Sequence, residues 1–491
     1  MIIPSQIHTP SALIPCRRDF HFLPHQETGV RWMLAREGNH DGLCCGGILA
    51  DDMGLGKTCQ TIGLLQNSNE DRTTLIVCPV ALFDTWHTEL KACGFQVSVF
   101  IQSAPVWSII DSSSSKKLVF LTTYSKLVLY WRIIAKMSFQ RIVLDEGHVI
   151  RNKSTARFTA AVAICTPTTA RWILSATPIQ NGLTDWKNLC QWLNCEPRTD
   201  SNTILLRRTM SELRHVIDGL PPAPVFVDHD CSIPDKTDES NALKRLVRLY
   251  EAENVGTHMK LVLWMRIQQF IIHPQIYYDS IHMRRPHTKR VEYAGNATKW
   301  DEFARVLIQS DESTIVFCNF QMEIDRVAAF ALEKGREVFV IQGGSRNIGD
   351  IVDNARGSSI SGNKPVVVIV QIVAGGVGLN LQFCSRILFL SRHWNPAVVH
   401  QAVGRAVRFG QSKVVNVHFF RIVNDFVDLD NIDMYMSDLH TDKIHKATRI
   451  VTSLYDGFHL ITAETEGEGD GFDEVNVIDN HLEYDSDPSS V

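Results

Sequence analysis

Nine short, almost uninterrupted apolar runs limit this chain to few architectures. "GGILAD" (46–51), "TLIVCPV" (74–80), "KLVFLTTY" (117–124), "RIVLDE" (141–146) and "RWILSATP" (171–178) form one series. "STIVFCNF" (313–320), "EVFVIQG" (337–343), "PVVVIVQ" (365–371) and "RILFLS" (386–391) form a second. A strand wetted on one face alternates polar and apolar residues, whereas a continuous apolar strand is buried on both faces. Such strands, separated by helix-length connections, predict parallel sheets layered with helices on both sides. The stretch 205–295 carries few strand signals, and "SNALKRLVRLYEAEN" and "HMKLVLWMRIQQFII" within it have helical periodicity. The fold class expected is therefore α/β, with two parallel-sheet lobes at 1–204 and 296–450 and a helical insertion at 205–295.

Composition removes several function classes. The 491 residues hold 12 Cys, yet no Cys-x-x-Cys pair occurs, so zinc-ribbon and RING modules are not expected. Unpaired thiols at this density suit an intracellular compartment. The N-terminus lacks the apolar core of a secretory signal. The longest apolar run, 366–381, is too short and Gly-rich to span a bilayer, so no membrane partner is expected.

The net charge of −5 conceals an asymmetry. Residues 464–491 carry ten Asp or Glu and no Lys or Arg, leaving 49 basic against 44 acidic groups elsewhere, a net of +5. The end of the chain, 451–491, is expected to be a disordered acidic tail, since it is too polar to build a core.

Chemistry gathers at the C-terminal ends of the expected strands, where open parallel sheets bind ligands. "GGILADDMGLGKT" runs from a strand through a Gly-containing turn into a helix start. Backbone N–H groups there would surround phosphates, Lys57 would neutralise them, and the Thr58 hydroxyl would ligate Mg²⁺. The usual phosphate-loop pattern wants Gly at position 51, and this chain has Asp. "LDEGH" (144–148) places Asp145 at a strand end to hold Mg²⁺, with Glu146 to deprotonate the attacking water. "HQAVGRAVRFGQ" (400–411) spaces Arg405 and Arg408 three apart, on one face if helical. Two always-charged guanidiniums would suit a γ-phosphate gripped from the second lobe.

These segments, in this order, resemble the Swi/Snf-type ATPases, a branch of the superfamily 2 helicase-like motors. The resemblance runs through "LPHQETGVRWML" (23–34), "DDMGLGKT" (51–58), "LIVCPVALFDTWHTEL" (75–90), "LTTY" (121–124), "LDEGHVIRN" (144–152), "LSATPIQNGLTDWKNLCQWL" (174–193) and "LLRRT" (205–209). It continues through "IVFCNF" (315–320), "AGGVGLNL" (374–381) and "HWNPAVVHQAVGRAVRFGQ" (393–411). "DDMGLGKT" is that family's own variant of the loop. The resemblance implies two RecA-like lobes, ATP as fuel and Mg²⁺ as its cofactor. It implies that Gln26 reads adenine and that Asp52, Met53, Gly54, Leu55, Gly56, Lys57 and Thr58 surround the nucleotide. Gly378, Gln401, Arg405 and Arg408 would complete the site from the second lobe.

The family moves along double-stranded DNA, so duplex DNA is the expected partner, with histones or transcription machinery among the DNA-bound proteins displaced. Candidate DNA contacts are Pro79, Thr122, Thr123, Asn152 in "RNKST", Ser175, Thr177, Trp394 and Asn395, because sequence-blind grip relies on hydroxyls, amides and basic groups. A short monomeric motor without accessory modules is expected, nuclear if eukaryotic and otherwise cytoplasmic or virus-associated. Two other readings compete: a strand-separating DNA or RNA helicase, and a nucleic-acid-binding scaffold whose ATP site has decayed. The full set of Lys57, Asp145, Glu146, Arg405 and Arg408 speaks against the scaffold.

Overall fold

All nine apolar runs are strands in the computed structural model, which describes residues 12–423 except 18–20, 39–44, 69–71, 102–105, 108–116, 181, 197–200, 253–255, 285–286, 288, 346, 373–378 and 394. The acidic tail, Gly378 and Trp394 thus lie outside the described residues. The first sheet comprises β1 (Gly46–Leu49), β2 (Thr74–Cys78), β3 (Gln96–Ile101), β4 (Val106–Trp107), β5 (Leu118–Thr123), β6 (Arg141–Asp145), β7 (Ala170–Leu174) and β8 (Leu205–Leu206). Their spatial order is β4-β3-β5-β2-β6-β7-β1-β8, parallel throughout except for the edge strand β4. The second sheet contains β9 (Val225–Cys231), β10 (Thr314–Cys318), β11 (Glu337–Ile341), β12 (Val366–Gln371), β13 (Arg386–Phe389) and β14 (Asn416–Ile422). It is all parallel, in the order β11-β12-β10-β13-β14-β9.

The uninterrupted apolar runs have a direct cause. Ile48, Leu75, Val77, Ile142, Leu144 and Ile173 face one core of the first lobe. Their neighbours Leu49, Ile76, Cys78, Val143, Trp172 and Leu174 face another across the sheet. The second sheet repeats this, with Ile315, Phe317, Val368 and Ile387 on one side and Val316, Cys318, Ile369 and Leu388 on the other. Every position along such a strand is buried, so both phases of the side-chain alternation must be apolar.

Within the region 205–295 two strands precede the long helices. β8 pairs with β1 in the first sheet, and β9 pairs with β14 along seven residues in the second. The helices Asp238–Glu251 and Thr257–Ile272 share a core with Cys231 and Ile422, so they belong to the second lobe. The chain therefore crosses between lobes at 207–224. β9 escaped detection because "VFVDHDC" is an edge strand, with Val225 and Phe226 exposed and the remainder mostly charged or polar. No helix among the described residues is long and apolar enough to cross a membrane.

Candidate nucleotide cleft between the lobes

The loop after β1 turns on Gly54 and Gly56, both at positive φ (84° and 82°), a backbone region costly to any residue with a Cβ. Gly56 also makes room: a Cβ there would lie 2.4 Å from Gln26 Nε2. Gln26 reaches the loop by donating to Leu55 O (3.3 Å), and its Oε1 accepts from Leu23 N (3.1 Å). Lys57 opens the helix Lys57–Asn67, and its ammonium folds back onto the carbonyls of Asp51 (2.6 Å) and Asp52 (3.3 Å). Burial lowers its pKa, against the pull of Glu146, Asp51, Asp145 and Asp52, so the ammonium sits among acids at a desolvated site. Thr58 follows in the first helical turn.

Asp51, the residue at odds with the usual loop pattern, is fully buried. Arg208 forks onto it through Nε (2.9 Å) and Nη2 (2.5 Å), and Gln60 Nε2 donates to it at 2.9 Å. Asp is present because a guanidinium from "LLRRT" must be neutralised there. Asp52 is occupied in parallel, accepting from Met210 N at 2.9 Å.

Asp145 ends β6 and Glu146 follows in the left-handed region (φ 50°, ψ 43°), a strained conformation for a non-glycine residue. Three contacts hold this corner. Trp86 Nε1 donates to Asp145 Oδ2 (2.7 Å), Glu146 N donates to Asp145 Oδ1 (3.0 Å), and Tyr124 OH donates to Asp145 O (2.9 Å). Burial, then the adjacent Glu146, pushes the Asp145 carboxyl up to about 6. Burial would raise Glu146 too, but His148, Lys57 and Arg405 bring it below its ordinary value. His148 Nδ1 lies 3.3 Å from Glu146 Oε2 and 3.1 Å from Ser175 Oγ. That Glu146 oxygen is buried, with the His148 imidazole beside it. Trp86 and Tyr124 reach Asp145 from 59 and 21 residues away, a separation that leaves no local pattern in the sequence.

The second lobe closes the cleft at a turn. The helix Pro396–Val403 ends at Gly404, so Arg405 and Arg408 do not share a helical face as the spacing suggested. The cause is a competing partner: the Arg405 carbonyl accepts from Leu381 N (3.1 Å), and Arg408 Nη1 donates to Leu379 O (3.2 Å). Met53 packs 3.1 Å from the place a Cβ on Gly404 would take, and a Cβ on Gly54 would be 3.5 Å from Arg408 Cα. Arg405 is almost fully buried, its pKa brought down to about 10 by burial and Arg408, against the charges of Glu146 and Asp145. Burial likewise lowers Arg408. Gln401 is buried one turn before them.

The residues named for DNA contact scatter more widely. Thr122, Thr123 and Ser175 are buried, Thr123 capping a helix through Lys126 N and Ser175 engaged with His148. Pro79 is half-buried before the exposed Val80, and Asn152 is exposed, folded onto Ser154 N (2.9 Å). Thr177 and Asn395 are brought together by Gln180, which donates to Thr177 Oγ1 (3.4 Å) and accepts from Asn395 Nδ2 (3.1 Å) across the cleft.

Comparison with known proteins agrees with this geometry. The SNF2-related domain matches residues 25–247, and the helicase conserved C-terminal domain matches 298–410. The chain belongs to the Swi/Snf-type ATPases of superfamily 2. This ATPase is 28% identical over 470 residues to the "Probable global transactivator" of Orgyia pseudotsugata multicapsid polyhedrosis virus, covering 88% of this chain and 91% of that protein. It is 25% identical to an "Uncharacterized ATP-dependent helicase" of Mycoplasma pneumoniae, over 80% of this chain and 39% of that protein. It is 23% identical to the "ISWI chromatin-remodeling complex ATPase ISW1" of Saccharomyces cerevisiae, over 82% of this chain and 38% of that protein. The ATPase thus spans nearly all of the viral relative and about two fifths of the other two.

Proposed function

We propose that the chain is an ATP-driven translocase on double-stranded DNA that displaces or repositions bound protein. The observation that carries this reading is the meeting of two half-sites. Lys57, Asp145 and Glu146 come from one lobe, and Arg405 comes from the other, within electrostatic reach of both acids. A site completed only by closure lets hydrolysis drive a change in lobe spacing, the elementary step of a motor.

The residues present fit ATP and its cation. Lys57 and the helix N-terminus behind it suit phosphate, while the two adjacent buried acids, Asp145 and Glu146, suit a cation nearby. Among the described residues no group of three or more His, Cys, Asp or Glu is placed to hold a metal ion. Mg²⁺ would accordingly be held by Thr58 and Asp145 together with oxygens of the nucleotide, and when bound it neutralises charge on the phosphates. Glu146, its carboxylate kept ionised by His148, Lys57 and Arg405, takes the proton of the attacking water. Arg405 and Arg408 stabilise negative charge in the transition state. Gln26, seated against the loop, orients the base.

The duplex substrate is favoured by the chromatin-remodelling relative and by the motif series; the helicase name of the bacterial relative keeps strand separation in contention. ATP turnover is measured with and without duplex DNA, single-stranded DNA and RNA, beside triplex-displacement and unwinding assays. Stimulation by duplex with triplex displacement and no unwinding is expected. Unwinding, or stimulation by RNA alone, would replace this reading.

A further inference from the structure

The chain passes from one lobe to the other through 207–224, and the first residues of this strap are fastened to the nucleotide loop. Ala50 N donates to Leu206 O (2.7 Å), Asp52 N to Arg208 O (2.9 Å), and Met210 N to Asp52 Oδ2 (2.9 Å). Arg208 adds the side-chain half. Its guanidinium forks onto buried Asp51, donates to Gln60 Oε1 (2.9 Å) and donates to His25 O. The helix Pro24–Gly38 yields space for this cluster at Gly29, where a Cβ would lie 1.8 Å from Gln60 Oε1 and 2.9 Å from Arg208 Nη2. The same loop supplies the Asp51 and Asp52 carbonyls that hold Lys57. On its far side Gly54 lies against both Met210 of the strap and Arg408 of the second lobe.

We propose that Arg208 and Asp51 form a strut that sets the nucleotide loop and ties it to the interlobe strap. Arg208 is a positioning residue acting through Asp51, and the proposal rests on the reading of the cleft as an ATP site. An aspartate replaces the usual glycine because the loop is held from behind as well as shaped by its own turn. A forked guanidinium–carboxylate pair fixes direction as well as distance, which an ammonium cannot do. Tension on the strap as the lobes part would reach the carbonyls under Lys57 first.

The test uses the full chain and the variants Arg208→Lys, Asp51→Asn and the double substitution. One readout is binding of a fluorescent N-methylanthraniloyl ATP. The other is hydrogen exchange of amides 50–58 without nucleotide. Loss of one forked, charge-assisted pair should raise the nucleotide Kd and the ATP KM by about tenfold, with a smaller change in kcat. Exchange across 50–58 should quicken, and the double variant should be no worse than the more severe single one. Asp51→Asn, nearly isosteric, provides the same test if Arg208→Lys folds poorly. A lowered Tm with unchanged Kd and unchanged loop exchange overturns the proposal, leaving a purely structural pair. Failure of the unsubstituted protein to bind nucleotide would count against the cleft reading, and the nucleotide-free exchange measurement would still decide the strut.

Discussion

The two sides of the cleft are built differently. On the first lobe, Lys57 opens a helix and Asp145 and Glu146 sit at a strand end, each oriented by contacts inside that lobe: the Asp51 and Asp52 carbonyls, Trp86, Tyr124 and His148. On the second, Arg405 and Arg408 project from a turn whose backbone is tied to Leu381 and whose Arg408 side chain donates to Leu379 O, and the loop of the other lobe lies against that turn. One half is assembled by its own fold; the other is completed by apposition. Binding and turnover should therefore separate under mutation.

The largest break should come from the apposed half. Arg408→Ala is expected to abolish nucleic-acid-stimulated ATPase, a loss of about 10³–10⁵ for an arginine finger, while nucleotide binding by the first lobe changes little. Arg405→Ala should behave alike. Full stimulated turnover in Arg408→Ala would mean that the halves do not cooperate.

Next comes Glu146→Gln, isosteric within the self-assembled half. Turnover should fall by about 10²–10⁴, the usual worth of a general base, with ATP binding intact by equilibrium titration. Near-normal hydrolysis would assign the base elsewhere.

Acid tests two imidazoles of the second lobe. Burial, aided by Arg326, holds His273 at about 3, and burial with Arg386 and His229 holds His418 at about 4, against 6.5 ordinarily. Below pH 6.5 the unfolded chain takes up these protons and the folded lobe does not. The stability they contribute is thus complete above 6.5 and erodes as pH falls toward 4. His418→Gln and His273→Gln should flatten that decline in urea titrations at several pH values; an unaltered slope would show both imidazoles already charged when folded.

The smallest effect is expected at the cross-cleft bond. Asn395→Ala removes the contact with Gln180, worth about 1 kcal/mol and so roughly fivefold in the closed population. A single-molecule distance distribution between lobes would reveal it, and no shift would show that closure relies on other contacts.

Much of this protein was legible in order along the chain. Eight of the nine strands announced themselves because burial on both faces permits only apolar residues, and Gly54-x-Gly56-Lys57-Thr58 and Asp145-Glu146 are each a pattern concentrated within a few consecutive positions. β9 is hidden because, at its edge position, Asp228, His229 and Asp230 break the apolar run, and three-residue spacing of the arginines looks the same in a helix and in the turn that ends it. What residue order determined, then, is everything whose physical cause is local: periodicity, turn glycines, and the acidic pair at a strand end. Tertiary structure alone decided where the chain crosses between lobes, that Asp51 answers Arg208 from 157 residues away, and that Arg405 faces Glu146. These depend on which segments are neighbours in space, and a charge on one strand carries no mark of the partner that folding will bring to it.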